Sequence, residues 1–106
     1  MLRQPIRKAI ETRTLLLVTY HGEERVVEPH ILGRSLAGNL MLSGWQRSGD
    51  APGWRNFLLD EIEALSRTAI RFRTARGGYN PPDPSFEAVL CRIGETGDGP
   101  AAHAKS

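Results

Sequence analysis

Apolar residues at Ile6, Ala9 and Ile10 follow the i, i+3, i+4 spacing of an amphipathic helix. Pro5, with a fixed φ and no N–H to waste, suits the first turn, so a helix is predicted over residues 5–13. At Thr14 the period changes to two. Leu16, Val18 and Tyr20 point one way while Leu15, Leu17 and Thr19 point the other, so both faces are largely apolar and the strand belongs in the middle of a sheet. The polar break His21-Gly22-Glu23-Glu24 and the β-rich run Arg25–Leu32 that follows read as a hairpin. Pro29 cannot donate a ladder hydrogen bond, which predicts an edge, a bulge or a sharp bend in that second strand.

A turn over 35–39 leads to a third strand over 40–45, where Gly44 permits a kink or a close backbone approach. The polar, glycine-rich stretch 46–53 is a surface connection. A fourth strand over 54–59, a tight or single helical turn over 60–62 and a fifth strand over 63–73 complete the pattern. A helix followed by five short strands predicts a mainly β fold, a small five-stranded barrel that removes its own edges by closing. The breaker segment 76–84 cannot continue a sheet. Asp83-Pro84 is a helix-start pair, and Phe86, Val89, Leu90 and Ile93 then fall at helical spacing, which predicts a short C-terminal helix. From Gly94 onward bulky apolar residues are scarce, as in a disordered tail. At 106 residues the expected organisation is one domain over 1–93, with its core at 6–73, an appendage at 74–93 and the tail at 94–106.

Fourteen Lys and Arg against twelve Asp and Glu leave a net charge of +2, with 40% hydrophobic and 25% charged residues. Those values exclude a disordered polar tail and a histone-like polycation. The longest aliphatic run, Leu15–Val18, falls far short of the roughly 18 residues that cross a bilayer. The charged segment around Arg7 and Lys8 replaces the apolar middle of a secretory signal, so a cytoplasmic protein is expected. Cys91 is the sole cysteine, which excludes an internal disulfide and any zinc site of two or more thiolates. Almost all the basic residues are arginine, whose planar fork grips phosphate and carboxylate as lysine does not.

Catalytic signatures are missing. His21, His30 and His103 are scattered without a metal-ligand spacing, and neither a Gly-x-Ser-x-Gly elbow nor a P-loop occurs. Cys91, on the apolar side of the predicted C-terminal helix, reads as a small buried hydrophobe. No enzyme activity, metal or cofactor is expected. More informative are polar residues on otherwise apolar faces. Arg55 shares parity with Phe57 and Leu59, and Tyr20 with Leu16 and Val18, positions at the rim of a barrel. An arginine there either pairs internally, with Glu28 or Asp60, or faces a cleft that receives an anion. Arg25, in register with Val27 and Ile31, poses the same choice. His30 is either a neutral, satisfied strand residue or a protonated partner for phosphate. Trp45 and Trp54 flank the polar connection, where aromatic rings stack a base or cap the core.

The succession of the strand ending in Tyr20, the stretch Arg25-Val26-Val27-Glu28-Pro29, the strand Leu40–Trp45 and the segment Arg55-x-Phe57-x-Leu59-Asp60-x-Ile62 resembles the WYL domain. The resemblance covers roughly residues 6–73; of the Trp-Tyr-Leu triplet that names the family, only the leucine is kept, at Leu42. It implies a small Sm-like, SH3-type barrel of the kind found in bacterial regulators, here a free-standing sensor domain without a winged-helix module. It further implies recognition of an anionic ligand (nucleotide, cyclic nucleotide or single-stranded nucleic acid) in transcriptional regulation, with Tyr20, Arg25, His30 and Arg55 as the binding positions. With Trp45 added from the aromatic mouth, Arg25 and Arg55 are expected on phosphate and Tyr20 or Trp45 on a base. The competing expectation is a structural or interaction domain that docks a protein partner, or a second copy as a homodimer, through a strand edge.

Overall fold

The computed structural model describes residues 2–49, 51–79 and 83–94. Helix α1 (Arg3–Thr12) precedes strands β1 (Thr14–Tyr20), β2 (Glu23–Ser35), β3 (Leu40–Gln46) and β4 (Gly53–Leu58), then a 3-10 turn at Leu59–Glu61, β5 (Ile62–Arg71) and β6 (Phe86–Arg92). Five strands form an antiparallel sheet in the order β4-β3-β2-β1-β5, and β6 is added alongside β2. No described helix is long and apolar enough to cross a membrane.

Ile6, Ala9 and Ile10 are buried, so the apolar stripe of α1 covers the sheet as its spacing requires. The helix stops at Arg13, whose left-handed φ of 54° turns the chain directly into β1. Strand β1 lies between β2 and β5, the central place that its two apolar faces demand. The main core gathers Ile6, Ile10, Leu16, Val18, Leu42 and Phe57.

The long strand β2 organises the sheet. Val27 pairs with Leu16 of β1 and with Gln46 of β3, whereas Ile31 pairs with Ser43 of β3 and with Arg92 of β6. One edge of β2 therefore holds β3 throughout, and the other edge holds first β1 and then β6. The change of partner falls at Glu28-Pro29-His30. The register with β3 slips between Pro29 and Ile31, the bulge that a residue without N–H favours. The His30 carbonyl there accepts the Ile93 N–H at 3.0 Å, joining the end of β6 to the bulge.

Two expectations are corrected. The segment after the breaker is strand β6 and not a helix, and the sheet has six strands in an open order with no ladder joining β4 to β5 among the described residues. Phe86, Val89, Leu90 and Ile93 do have helical spacing, but the second half of β2 offers unpaired backbone groups, and pairing to them overrides local periodicity. Asp83 accepts a backbone N–H as expected, from Ser85 at 2.8 Å, yet it closes a turn instead of starting a helix. Phe86 then joins Ile31 and Met41 in a second apolar cluster, with Tyr79 packed against both clusters. Cys91 is buried, on a strand. The tail expected from Gly94 lies, from residue 95 on, outside the described residues.

At the end of the strand order, β5 has no strand partner on its outer edge among the described residues, and its Glu63, Arg67 and Arg71 are exposed. Two glycines let backbones meet around β2. A Cβ on Gly44 would lie 2.5 Å from the Glu28 carbonyl oxygen and 2.7 Å from Val27 Cγ1, which accounts for the glycine at the bulge. A Cβ on Gly33 would strike the Ala88 carbonyl oxygen of β6. Gly33→Ala is expected to force β2 and β6 apart at a cost on the order of 1–3 kcal/mol. Urea unfolding, with faster amide exchange confined to β6 and the second half of β2, checks this; wild-type stability in the variant would refute the close approach.

Candidate functional site

Tyr20 ends β1 beneath the turn that follows β4. Its hydroxyl accepts the Leu58 N–H at 3.1 Å and donates to Glu61 Oε1 at 3.2 Å, and its ring meets Phe57 edge-on. Glu61 also bonds His21 Nε2 at 2.7 Å, and that bond leads in holding its carboxyl below the usual range. Tyr20 is thus a buried clamp whose carbonyl and ring face Arg25. From β2, Arg25 donates through Nη2 to the Tyr20 carbonyl at 3.0 Å and through Nη1 to Gln46 Oε1 at 3.3 Å, its guanidinium 5.5 Å from the Tyr20 ring centroid. Its Nε is buried without a partner, and its ion pair with Glu23, at 3.2 Å, engages a carboxylate 73% exposed.

Arg55 pairs with neither of the carboxylates expected, Glu28 or Asp60. On β4 its guanidinium donates to two backbone carbonyls, of Trp54 at 2.9 Å and of Ala51. Arg25 and Arg55 line one open hollow of about 440 Å³ together with Glu23, Gln46, Gly49 and Ala51. On its other side Arg55 lines a smaller hollow of about 180 Å³ with Trp54, Asn56, Ser43 and Tyr79. The structure therefore sets Tyr20 against Arg25 and puts Arg25 and Arg55 on one hollow.

Trp45 and His30 stand elsewhere. The Trp45 ring is edge-on to Trp54 at 5.8 Å and carries the Arg76 guanidinium 4.7 Å from its centroid, a cation–π contact. The indole that lines the small hollow is Trp54, whose Nε1 donates to the Gly77 carbonyl at 3.2 Å. His30 is fully buried. Its Nε2 accepts the Arg76 backbone N–H at 3.0 Å, which places the ring proton on Nδ1, bonded to the Glu28 carbonyl at 2.8 Å. Burial pushes its pKa down despite that carbonyl bond. Both nitrogens are committed, so the neutral reading holds and His30 presents nothing to a ligand.

The residues that sequence reasoning missed surround Glu28. Its carboxylate is buried, yet Oε2 receives Arg47 Nε and Arg76 Nη2, each at 2.6 Å, and Oε1 receives Arg76 Nε at 3.3 Å. Burial alone would raise this carboxyl, but the bonds and charges of Arg76 and Arg47 outweigh it and hold the pKa below the usual value. The signal available was Glu28 itself, an acid in an apolar run that required basic partners. Among the described residues no three His, Cys, Asp or Glu side chains gather to hold a metal ion.

The lowered pKa values of His30 and Glu28 make acid destabilising. As pH falls below about 6.5 the unfolded chain protonates His30 while the folded chain resists, so stability is full above that pH and declines below it. Protonation of Glu28 adds a second loss at lower pH, beneath its ordinary value of 4.5. Unfolding free energy measured by tryptophan fluorescence is expected to drop as pH is taken from about 7.5 to about 5.5. His30→Phe should abolish that step and, by leaving the Arg76 N–H and the Glu28 carbonyl unpaired, destabilise by about 1–3 kcal/mol at neutral pH. A wild-type profile that is flat over this range would contradict the assignment.

The span over residues 2–67 matches the WYL domain family, one of ligand-sensing and regulatory domains rather than catalytic ones. Among curated proteins and among solved structures, none matches the chain. Residues 68–94, which supply Arg71, Arg73, Arg76, Tyr79 and β6, lie beyond the matched span. That span nevertheless takes in α1, β1 to β4, most of β5 and the hollow between Arg25 and Arg55, well over half of the sequence, and by it the chain belongs to the WYL domain family.

Proposed function

We propose that this chain is a sensor for a ligand that carries both phosphate and an aromatic base: a nucleotide, a cyclic nucleotide or a short single strand of nucleic acid. The observation that carries this reading is the position of Arg55, which lines both the hollow shared with Arg25 and the smaller hollow walled by Trp54 and Tyr79. Arg55 stands between a basic cavity and an aromatic one, the two surfaces a nucleotide needs.

Arg25 and Arg55 serve the phosphate. Each is oriented by bonds to backbone carbonyls, which cannot neutralise it as a carboxylate would. The Glu23 pair on Arg25 is a solvent-exposed one of small worth, readily exchanged for a phosphate oxygen. Trp54 offers its ring to the base, and Trp45 supports it from behind. Tyr20 positions Arg25. In a transcriptional regulator, occupancy of these hollows is the signal passed on.

Calorimetric titration of nucleotides and short oligonucleotides tests the reading. Arg55→Ala is expected to weaken binding at least tenfold, about the worth of one hydrogen bond to a charged group, and wild-type affinity should fall as salt rises. Trp54→Ala should weaken base-bearing ligands and spare inorganic pyrophosphate. Binding indifferent to Arg55→Ala would remove the site. Salt-insensitive self-association without any nucleotide binding would replace it with docking through a strand edge.

A further inference from the structure

We infer that the hollow formed by Arg47, Arg71, Arg73 and Arg76 is a separate site for a multiply charged phosphate group. It is about 430 Å³ in volume, is built largely by residues 71–77, and shares no lining residue with the hollow of Arg25 and Arg55. The inference rests on this geometry alone and not on the nucleotide reading above.

Four arginines and a single carboxylate, that of Glu28, line this hollow, an excess of three positive charges among its lining residues. The floor is rigid. Arg76 is held by two bonds to Glu28, by its backbone N–H on His30 and by its stacking on Trp45, while Arg47 is held by Glu28. Glu28 is buried beneath them, its carboxylate already receiving three bonds, and does not present a bare negative charge to an incoming anion.

The walls remain available. Arg71 uses its Nε on the Thr12 carbonyl at 3.2 Å, and its two Nη groups have no partner among the described residues. The Arg73 side chain is exposed and likewise makes no bond among them. Two prepaid cations below and two free forks above suit an anion with several oxygens and more than one charge. A phosphate monoester carries roughly −1.5 to −2 at neutral pH, and a chain of phosphates more, whereas a single carboxylate would leave most of the excess in place. The one aromatic residue of the lining, Phe72, is buried, so the hollow reads charge and not a base. Such phosphate comes from a free polyphosphate group or from the diester backbone of a nucleic-acid strand.

The test follows the arginine Nε–Hε signals of the full chain by NMR during titration with tripolyphosphate and, separately, with a short oligothymidylate that lacks a terminal phosphate. Tripolyphosphate is expected to shift the signals of Arg47, Arg71, Arg73 and Arg76. The double variant R71Q/R73Q should bind it at least tenfold more weakly while remaining folded, because neither residue touches Glu28 and the Arg71–Thr12 bond that is lost is an exposed one. Parallel weakening of oligothymidylate at the same four signals assigns the site to a strand backbone; a response to tripolyphosphate alone assigns it to free polyphosphate. The site is overturned if R71Q/R73Q binds tripolyphosphate like the wild type, or if sodium chloride at equal ionic strength reproduces the shifts. The signals of Arg25 and Arg55, followed in the same spectra, report the other hollow, so failure at one is not mistaken for failure at both.

Discussion

Two polar side chains buried two residues apart in one strand, Glu28 and His30, impose the obligation around which this protein is arranged. A carboxylate in the interior needs cations and an imidazole there needs a donor and an acceptor, since each group left unmade is expensive. Meeting those needs recruits Arg47 from the end of β3 and the Arg76 backbone and side chain from the segment after β5. The same bulge lets β2 exchange β1 for β6, so the segment beyond the first five strands is tied back through the side chains and through the His30 carbonyl.

The overall charge of +2 conceals how the arginines are distributed. Some are spent on structure, such as Arg47 and Arg76 on Glu28, and their fork geometry is what allows one carboxylate to be bonded on both oxygens. Others are oriented by carbonyl oxygens that direct a guanidinium without discharging it, as at Arg25 and Arg55. Family membership places the chain among ligand-sensing and regulatory domains, and the open hollows beside these arginines combine room with positive charge.

Much of this was legible in the residues. The period of two across Leu15–Tyr20 with both faces apolar marks the central strand, Pro29 marks an edge, bulge or bend that the fold makes a bulge, and Gly44 marks a kink or close approach that the fold makes a contact of backbones. Tyr20, Arg25 and Arg55 could be grouped from parity because each ends an inward-facing row. What escaped depends on contacts distant in sequence. Strand β6 exists because β2 has a vacant edge, a fact that no local spacing around Phe86 records. His30 looked equally suited to a ligand until the Arg76 N–H, 46 residues away, was found on its ring. Trp54 and Trp45 were indistinguishable as neighbours of one connection; the segment near Gly77 separates them by taking the Trp54 N–H and setting Arg76 on Trp45.

The outer edge of β5 has a consequence of its own. Among the described residues no strand pairs with the outer edge of the 10-residue β5, which leaves there a row of backbone donors and acceptors, the arrangement through which folded chains stick to one another. Here Glu63, Arg67 and Arg71 stud that row while Ile70 is the large apolar residue left most open on it. A copy arriving in a register that sets Arg67 against Arg67 meets repulsion before it gains a hydrogen bond. Charges set along an edge in this way oppose edge-to-edge growth of a sheet.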